Sequence, residues 1–459
     1  MAEGSGYDIV ILGGGSGGYA CALRAAELGK RVALVEKDKV GGTCLHRGCI
    51  PTKALLHAAE IADLTRESGS FGVLATLQGI DMAGVNAYKD KVVTRLWKGL
   101  QGLISSRHID VVAGQGRLVS PTQVTVGDGV VEGAHVVLAT GSQARSLPGL
   151  AIDGERVITS DQALTLERVP ASVVILGGGV IGVEFASAWR SFGAEVTIVE
   201  MLPHLLPPEE ESSSKLLERA FRRRGIGFRL GTRFEGVKNT GSGVTVTLEG
   251  GATIEAELLL VAVGRGPASA GLGYEEAGVA VERGFVVVDE YCQTNVPTIS
   301  AVGDLIPGPQ LAHAGFGEGI MVAERLAGLP VTPIDYDGVP RVAYSHPEVA
   351  SVGITSATAA QRGIETVEVT YDLAGNGKSQ ILQTQGAAKV IATAGGGPVL
   401  GIHLVGARAG ELIAEGQLIY NWEALPSEVA QLIHPHPTQS EAIGEAHLAL
   451  AGKPLHFHS

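Results

Sequence analysis

Two cysteines, Cys44 and Cys49, are separated by four residues and stand just before a helix-like run, Ala54 to Ala59. Pro51 suits the first turn of that helix, because the N–H group there has no intrahelical partner. Unpaired N–H groups and the helix dipole at such a position would stabilise a thiolate. The pattern therefore indicates a redox pair that cycles between dithiol and disulfide.

Other uses of the two cysteines need other residues. The chain has 4 cysteines, too few for a scaffold held together by disulfides. A zinc site needs four ligands, and His46 adds only a third. No metal is therefore expected. Two buried, inert cysteines remain as an alternative, and the spacing alone does not exclude it.

An internal repeat surrounds the pair. Ile9 to Glu36 and Val173 to Glu200 align without a gap, and each copy predicts a buried strand, a G-x-G-x-x-G turn, a helix and a second strand. An acidic residue ends each copy, as a dinucleotide-binding fingerprint requires. The first glycine makes the turn, the second admits a pyrophosphate, and the third lets the helix pack closely. These glycines are Gly13, Gly15 and Gly18 in the first copy and Gly177, Gly179 and Gly182 in the second.

The two copies predict different cofactors. The first copy leads directly into the cysteines, and a flavin can pass electrons to or from a disulfide whereas a nicotinamide cannot readily do so. FAD is therefore assigned to the first copy, with Glu36 on its ribose, and the nicotinamide to the second. Glu200 favours NAD over NADP, because its carboxylate would repel a 2′-phosphate and only His204 nearby could offset it.

The composition limits the class of protein. A length of 459 residues predicts two to four domains, and a net charge of −13 argues against nucleic acid or an anionic membrane as a partner. No apolar run is long enough to span a bilayer. The segment Met1 to Glu3 is acidic where a signal peptide would be basic, so a cytoplasmic protein is expected.

Further motifs make the chain similar to the pyridine nucleotide–disulfide oxidoreductases and, among them, the dihydrolipoamide dehydrogenases. The likeness runs from about Tyr7 to the carboxyl terminus. Besides the repeat and the cysteine pair, it rests on Ala139-Thr140-Gly141-Ser142, Val263-Gly264-Arg265-Gly266-Pro267, Ala301-Val302-Gly303-Asp304, Leu311-Ala312-His313 and His434-Pro435-His436-Pro437-Thr438-Gln439-Ser440-Glu441.

This resemblance implies an α/β fold with two Rossmann-like domains, one for FAD and one for NAD, and an α+β dimerisation domain. The implied boundaries are 1–147 for FAD, 148–267 for NAD, 268–340 for a central region that completes the FAD site, and 341–459 for the interface. Breaker-rich stretches at Pro148-Gly149, Gly264 to Pro267 and Pro330 to Pro340 agree with them. A homodimer is expected, in which each active site uses residues of both subunits.

The resemblance also implies roles for single residues. Cys44 resembles the thiol that meets the substrate and Cys49 the thiol beside the flavin, while His436 and Glu441 resemble a base and its orienting carboxylate from the partner subunit. A cis His436–Pro437 bond is expected. Further cofactor contacts are implied at Gly42, Thr43, Lys53, Gly116, Thr140, Gly141, Asp304 and Ala312 for FAD, with Lys53 paired to Glu184, and at Gly264 on the NAD side.

The implied activity is the oxidation of protein-bound dihydrolipoamide with reduction of NAD⁺. The implied partner is the lipoyl-bearing acyltransferase of a 2-oxo acid dehydrogenase complex. The absence of any cysteine after Cys292 separates the chain from mercuric reductases and high-molecular-weight thioredoxin reductases, and Glu200 separates it from glutathione reductases. A reductase of another small disulfide or of quinones is the alternative. His46 and Arg47 between the cysteines depart from the common pattern. Two cations there would favour the thiolate and raise the disulfide potential, and the alternative is that solvent screens them and they have no effect.

Overall fold

A computed structural model describes residues 6–457. Contacts within the chain group it into two compact units. The first comprises the chain up to Ala54, Gly84–Arg145 and Arg265–Tyr336, and the second comprises Leu55–Ala83, Ser146–Gly264 and the chain from Asp337. The expected division into four regions stays a prediction.

The first third of the chain begins with a strand, a helix and a strand, as the repeat predicts, and three helices and then five strands follow. These elements are β1 (Tyr7–Leu12), α1 (Ser16–Glu27), β2 (Val32–Glu36), α2 (Gly42–Arg47), α3 (Cys49–Glu67), α4 (Met82–Ser106), β3 (Asp110–Ala113), β4 (Gly116–Ser120), β5 (Gln123–Val126), β6 (Gly129–Leu138) and β7 (Ser142–Ala144). The second copy follows in β8 (Val157–Ile158), α5 (Ser160–Ala163), β9 (Ser172–Leu176), α6 (Val180–Phe192), β10 (Glu195–Val199), α7 (Glu211–Arg223), β11 (Gly227–Arg229), β12 (Phe234–Asn239), β13 (Val244–Leu248), β14 (Thr253–Ala256) and β15 (Leu258–Val261).

Short strands and one long helix follow, and then a mixed carboxyl-terminal region. The short elements are β16 (Arg265–Pro267), β17 (Val281–Glu282), β18 (Phe285–Val286), β19 (Ile299–Ala301) and α8 (Ala312–Leu326). The last region contains β20 (Arg341–Ala343), β21 (Glu348–Gly353), α9 (Ser356–Gln361), β22 (Thr366–Asp372), α10 (Gly377–Ile381), β23 (Ala387–Thr393), β24 (Val399–Gly406), α11 (Ala409–Asn421), α12 (Pro426–Val429) and α13 (Glu441–Leu450).

In the first unit, β1 lies between β2 and β6 in parallel pairings, with β3 beside β2 and β19 beside β6. The antiparallel strands β4 and β5 continue the sheet from the amino-terminal half of β6. Strand β1 forms because Ile9 to Leu12 are apolar, mostly β-branched and completely buried, as expected of a parallel strand covered on both faces.

Helices α1 and α8 of the first unit pack through a glycine seam, defined as Gly17, Gly315 and Gly319. A side chain at Gly319 would collide with the carbonyl oxygen of Gly17. Tyr19 and Phe316 cover the end of the seam with their rings 5.5 Å apart. The seam explains why small residues follow the Leu311-Ala312-His313 motif.

In the second unit, the parallel sheet β11-β10-β9-β15-β8 repeats the first copy, and β12-β13-β14 form a small antiparallel sheet. A five-stranded antiparallel sheet, β20-β21-β24-β23-β22, carries α11 and α13. Two Rossmann-like sheets and an α+β carboxyl-terminal region therefore confirm the predicted fold class. Between residues 6 and 457, no helix is both long and apolar enough to cross a bilayer.

His447 on α13 makes the stability of the second unit depend on pH. Its side chain is completely buried, and burial lowers the pKa of His447 to about 4. The unfolded chain, with an ordinary histidine pKa, binds a proton more readily than the folded one. The contribution of neutral His447 to the free energy of unfolding is therefore fully present above about pH 6.5 and falls as the pH drops towards 4. We expect the free energy of unfolding to decrease by at most about 3 kcal/mol over that interval. Urea unfolding of a His447→Leu variant should depend less on pH, whereas His57→Leu, at an exposed site, should behave as wild type.

Candidate active site

The predicted cysteine pair lies at the junction of two helices. Cys44 is within α2 and Cys49 is the first residue of α3, so Pro51 lies in the first turn of α3 as predicted. The two cysteines form a disulfide with Cα atoms 4.6 Å apart. The hydroxyl of Thr52 donates to the carbonyl oxygen of Gly48 at 2.6 Å and fixes this turn. The expected pairing is confirmed, and Cys49 is the cysteine at the helix start.

The two basic residues between the cysteines have partners of their own. His46 is hydrogen-bonded through Nε2 to the carbonyl oxygen of Val40 at 3.0 Å and packs edge-on against Trp97. Arg47 forms an ion pair with Asp38 at 3.2 Å, and both side chains are about half exposed. Exposed ion pairs contribute little because solvent screens them. The expected effect of these cations on the disulfide potential stays a prediction.

The first glycine-rich turn has the shape of a pyrophosphate site. Gly13 has a φ of +108°, which only glycine adopts readily. A side chain at Gly18 would collide with the carbonyl oxygen of Gly13, so this glycine brings α1 close to the turn. Open space surrounds the Cβ position of Gly15. The three glycines therefore have the properties that the fingerprint requires of them.

The carboxylate of Glu36, which is expected to bond the ribose of FAD, is held in place by the backbone. Glu36 accepts hydrogen bonds from the backbone N–H of Gly14 at 2.7 Å and of Asp38 at 2.8 Å. Gly42 has a φ of +59°, and a Cβ there would lie 2.7 Å from the Cα of Gly15. The residues present thus fit the adenosine diphosphate portion of FAD, with two glycine backbones in close approach.

Asp304 is held by residues that the sequence interpretation did not select. Ser142 donates to the Asp304 carboxylate at 2.5 Å. Arg265 in turn donates from Nε to the Ser142 hydroxyl at 2.7 Å and from Nη2 to the Ser142 carbonyl at 2.8 Å. Buried Glu318 accepts from the N–H of Gly303 at 2.5 Å. Both Ser142 and Arg265 lie within recognised motifs, but only the fold joins these motifs to Asp304.

The remaining expected FAD contacts lie on the elements of the first unit. The hydroxyl of Thr140 is already engaged with the carbonyl of Ala268 and with Tyr274, both at 2.9 Å, which leaves its backbone for a ligand. Gly116 lies in β4, where a side chain would meet Leu12. The roles of Thr140 and Gly116 in FAD binding stay predictions. The same holds for the other expected FAD contacts of this unit, which are Gly141, Thr43, Lys53 and Ala312.

The second copy repeats the geometry of the first. Gly177 has a φ of +110°, and a side chain at Gly182 would collide with the carbonyl oxygen of Gly177. Glu200 accepts from the N–H of Gly178 at 2.6 Å and of Leu202 at 2.8 Å. Space is open at Gly179. This cradle fits a second dinucleotide, with a carboxylate where its ribose hydroxyls would lie.

Glu184, expected to pair with Lys53 near the flavin, and Gly264, expected on the NAD side, both lie in the second unit. Glu184 is buried on α6 and accepts from the backbone N–H of Tyr344 at 2.9 Å. Gly264 has a φ of +101° with open space at its Cβ position, so it suits a turn beside a ligand. The pairing of Glu184 with Lys53 stays a prediction.

A Glu200→Gln variant tests the nucleotide preference. The amide keeps the size of the side chain but loses the charge and one acceptor, so the KM for NAD⁺ should rise roughly tenfold and discrimination against NADP⁺ should fall by a similar factor. The KM for the dithiol substrate should not change. Glu195→Gln is the matched control, because Glu195 is exposed at the start of β10, the strand that Glu200 follows. Unaltered nucleotide kinetics in Glu200→Gln would contradict the assignment.

His436 and Glu441 form the expected histidine–carboxylate pair. Nδ1 of His436 lies 2.9 Å from a carboxylate oxygen of Glu441, and the His436–Pro437 bond is cis as predicted. The His436 side chain is 78% exposed, so its Nε2 is accessible from outside the chain. Burial alone would raise the pKa of Glu441, but hydrogen bonds from Thr438 and His436 outweigh it and the pKa lies below its ordinary value. An ionised Glu441 can orient the imidazole and stabilise its protonated form.

Comparison with known proteins decides the family. The model of the pyridine nucleotide-disulphide oxidoreductases matches residues 7–319, and the dimerisation domain of that family matches residues 339–447. The chain belongs to this family. The family's FAD and NAD are therefore the cofactors of this chain, and its dimerisation domain supports a homodimer.

Relatives of this oxidoreductase are similar over nearly their full lengths. A dihydrolipoyl dehydrogenase of Bacillus subtilis is 41% identical over 98% of this chain and 99% of its own length. A mitochondrial dihydrolipoyl dehydrogenase of Pisum sativum is 39% identical over 98% of this chain and 92% of its own. A leghemoglobin reductase of Vigna unguiculata is 38% identical, with 98% and 88% covered.

Solved structures of related oxidoreductases share the fold. LpdA from Mycobacterium tuberculosis superposes with a TM-score of 0.90 at 29% identity, covering 96% of this chain and 99% of that one. The HOCl-induced flavoprotein disulfide reductase RclA from Escherichia coli has a TM-score of 0.85 at 30% identity, with 96% and 99% covered. This chain therefore shares its backbone fold with a flavoprotein disulfide reductase.

Proposed function

We propose that this oxidoreductase is a dihydrolipoyl dehydrogenase, which oxidises dihydrolipoamide and reduces NAD⁺. The observation that carries the proposal is the full-length similarity to dihydrolipoyl dehydrogenases in a chain that keeps the Cys44–Cys49 disulfide. The oriented His436–Glu441 pair supports it, because a thiol substrate must lose a proton before its sulfur can attack.

The residues of this chain accomplish the dithiol chemistry in two displacements. His436 accepts a thiol proton of dihydrolipoamide, and the thiolate attacks the sulfur of Cys44, which forms a mixed disulfide and releases Cys49 as a thiolate. The second substrate thiol, once deprotonated, attacks the substrate sulfur of that mixed disulfide. Cyclic lipoamide leaves, the proton of the second substrate thiol ends on the departing sulfur of Cys44, and His436 keeps the first proton. FAD, when bound, conveys the electron pair of the resulting dithiol to NAD⁺.

The dimer supplies the part of the site that one chain lacks. We place His436 of one chain opposite the disulfide of its partner, because its side chain is 78% exposed and is free to meet another surface. Exposed apolar side chains lie on the same carboxyl-terminal region: Leu418, Trp422, Leu432 and Ile433. Apolar patches of this kind mark protein interfaces. The protein partner is the lipoyl-bearing acyltransferase of a 2-oxo acid dehydrogenase complex, in the cytoplasm.

The test is NAD⁺ reduction by the purified protein with dihydrolipoamide, beside NADH oxidation with other disulfides and with quinones. Rapid turnover of dihydrolipoamide and slow turnover of the others is the expected result. A yellow protein that NADH reduces but that ignores dihydrolipoamide would contradict the proposal. It would indicate a reductase of another small disulfide or of quinones.

A further inference from the structure

A second histidine–carboxylate pair lies just before the exposed one. Nε2 of His434 is 2.7 Å from a carboxylate oxygen of Glu415 on α11. The His434 side chain is only 11% exposed, against 78% for His436. The two histidines are separated only by Pro435, whose ring fixes one backbone angle between them. The first pair is thus partly buried in the chain, whereas His436 of the second is open to solvent.

The packing around His434 leaves it little freedom. Its ring lies against Gly444 of α13, where a Cβ would be 2.6 Å from Nδ1, so only glycine admits the ring. On the far side of the base, the hydroxyl of Thr438 donates to the carbonyl of Pro435 at 2.7 Å. The N–H of Thr438 donates to Glu441 at 2.7 Å. The segment that carries His436 is therefore fixed at His434 before the base and at Thr438 after it.

We propose that His434 and Glu415 are positioning residues, whose ion pair fixes the segment that presents His436 to the substrate. The inference rests on the proposed function, since it concerns the base of that reaction. A base must lie within hydrogen-bonding distance of the proton that it removes, and small displacements of a reacting group lower rates strongly. Glu441 orients the ring of His436, but the exposed side chain has little packing to fix the backbone beneath it, and the partly buried pair two residues earlier supplies that anchor.

The charge of the pair contributes to this anchor. The hydrogen bond that His434 donates to Glu415 raises the pKa of His434, and burial acts in the opposite direction. The titratable groups that interact with His434 are Glu415 on α11 and, on α13, Glu441 and buried His447. Charge-assisted hydrogen bonds are stronger than neutral ones. The anchor is therefore complete at pH values below the ordinary histidine pKa and weakens as the pH rises through the raised pKa of His434.

Stopped-flow kinetics of the FAD-loaded homodimer separate this role from a general structural one. Enzyme reduction by dihydrolipoamide needs the base, whereas reduction by NADH does not. We expect His434→Ala to slow the first reaction by about 10- to 100-fold and to leave the second within about twofold. His434→Gln keeps an N–H donor for Glu415 without the charge, so it should recover only part of the rate. It should also lack the decline at alkaline pH that deprotonation of His434 causes in wild type.

His456→Ala is the matched control, because His456 pairs with Glu445 at 2.8 Å in the same region but is 68% exposed. It should match wild type in both reactions. Three results would overturn the inference: His434→Ala reduced by dihydrolipoamide at the wild-type rate, equal slowing of both reactions, or identical alkaline limbs in wild type and His434→Gln. Failure of the proposed function is a separate outcome, since it appears in wild type alone as no reduction by dihydrolipoamide.

Discussion

A Cys49→Ser variant is expected to bind FAD and remain yellow, yet to lose dihydrolipoamide oxidation by roughly 10⁴-fold or more, the scale seen when a reacting nucleophile is removed. The physical reason is that a serine hydroxyl can neither form the disulfide with Cys44 nor leave from it as a stable anion. The measurement is steady-state NAD⁺ reduction, with the bound flavin quantified by its absorbance in the same samples.

The companion variant Cys44→Ser separates the two thiols. It should be equally inactive, but it keeps Cys49 at the start of α3, where a thiolate is stabilised and, by the proposed role, lies beside the flavin. Long-wavelength absorbance from thiolate and flavin should therefore appear in Cys44→Ser and not in Cys49→Ser. Cys21→Ala, at a buried free cysteine, should remain active. Substantial dihydrolipoamide turnover by Cys49→Ser would refute the disulfide mechanism.

A His436→Gln variant is expected to lose roughly 10²- to 10⁴-fold in the rate of reduction by dihydrolipoamide, the usual contribution of a positioned general base. Both cofactors should still bind, because His436 is an exposed side chain outside the two glycine-rich cradles. Reduction by NADH, followed by flavin bleaching without oxygen, should keep its normal rate.

The control for this variant uses another surface histidine–carboxylate pair. His57 lies 3.1 Å from Glu60 on α3, with its side chain about half exposed, and His57→Gln should leave both reactions unchanged. Glu441→Gln should show a smaller loss than His436→Gln, because it weakens orientation and charge stabilisation but leaves the base. Normal dihydrolipoamide turnover in His436→Gln would exclude the residue as the base.

Local patterns in the sequence were sufficient to predict the parallel sheets, the two glycine-rich turns and the cysteine at a helix start. Such features depend on apolar periodicity, on glycine conformation and on helix termini within about thirty residues. The Glu36 and Glu200 contacts belong to the same class, since each carboxylate bonds a turn 22 residues away within one βαβ unit.

Contacts across long stretches of sequence could not be predicted in this way. Asp304 is hydrogen-bonded to Ser142, which lies 162 residues earlier in the chain, and Arg265 is bonded to Ser142 across 123 residues. These contacts form because strands β7 and β16 pair only in the folded chain. His434 and Glu415 are 19 residues apart, but no periodicity joins a loop histidine to the side of α11. The glycine seam is similar, since small residues in α8 become meaningful only when α1 lies against them.

The bonds of Glu36 and Glu200 to backbone amides have a consequence for entropy. Each carboxylate is fixed by two N–H donors while the protein folds, before any nucleotide arrives. Immobilising a flexible side chain at an interface costs about 0.5–1.5 kcal/mol, and here that cost belongs to folding and not to binding. Each dinucleotide therefore binds to a carboxylate that is already rigid. Its binding free energy loses less side-chain entropy than it would with a mobile glutamate at the same position.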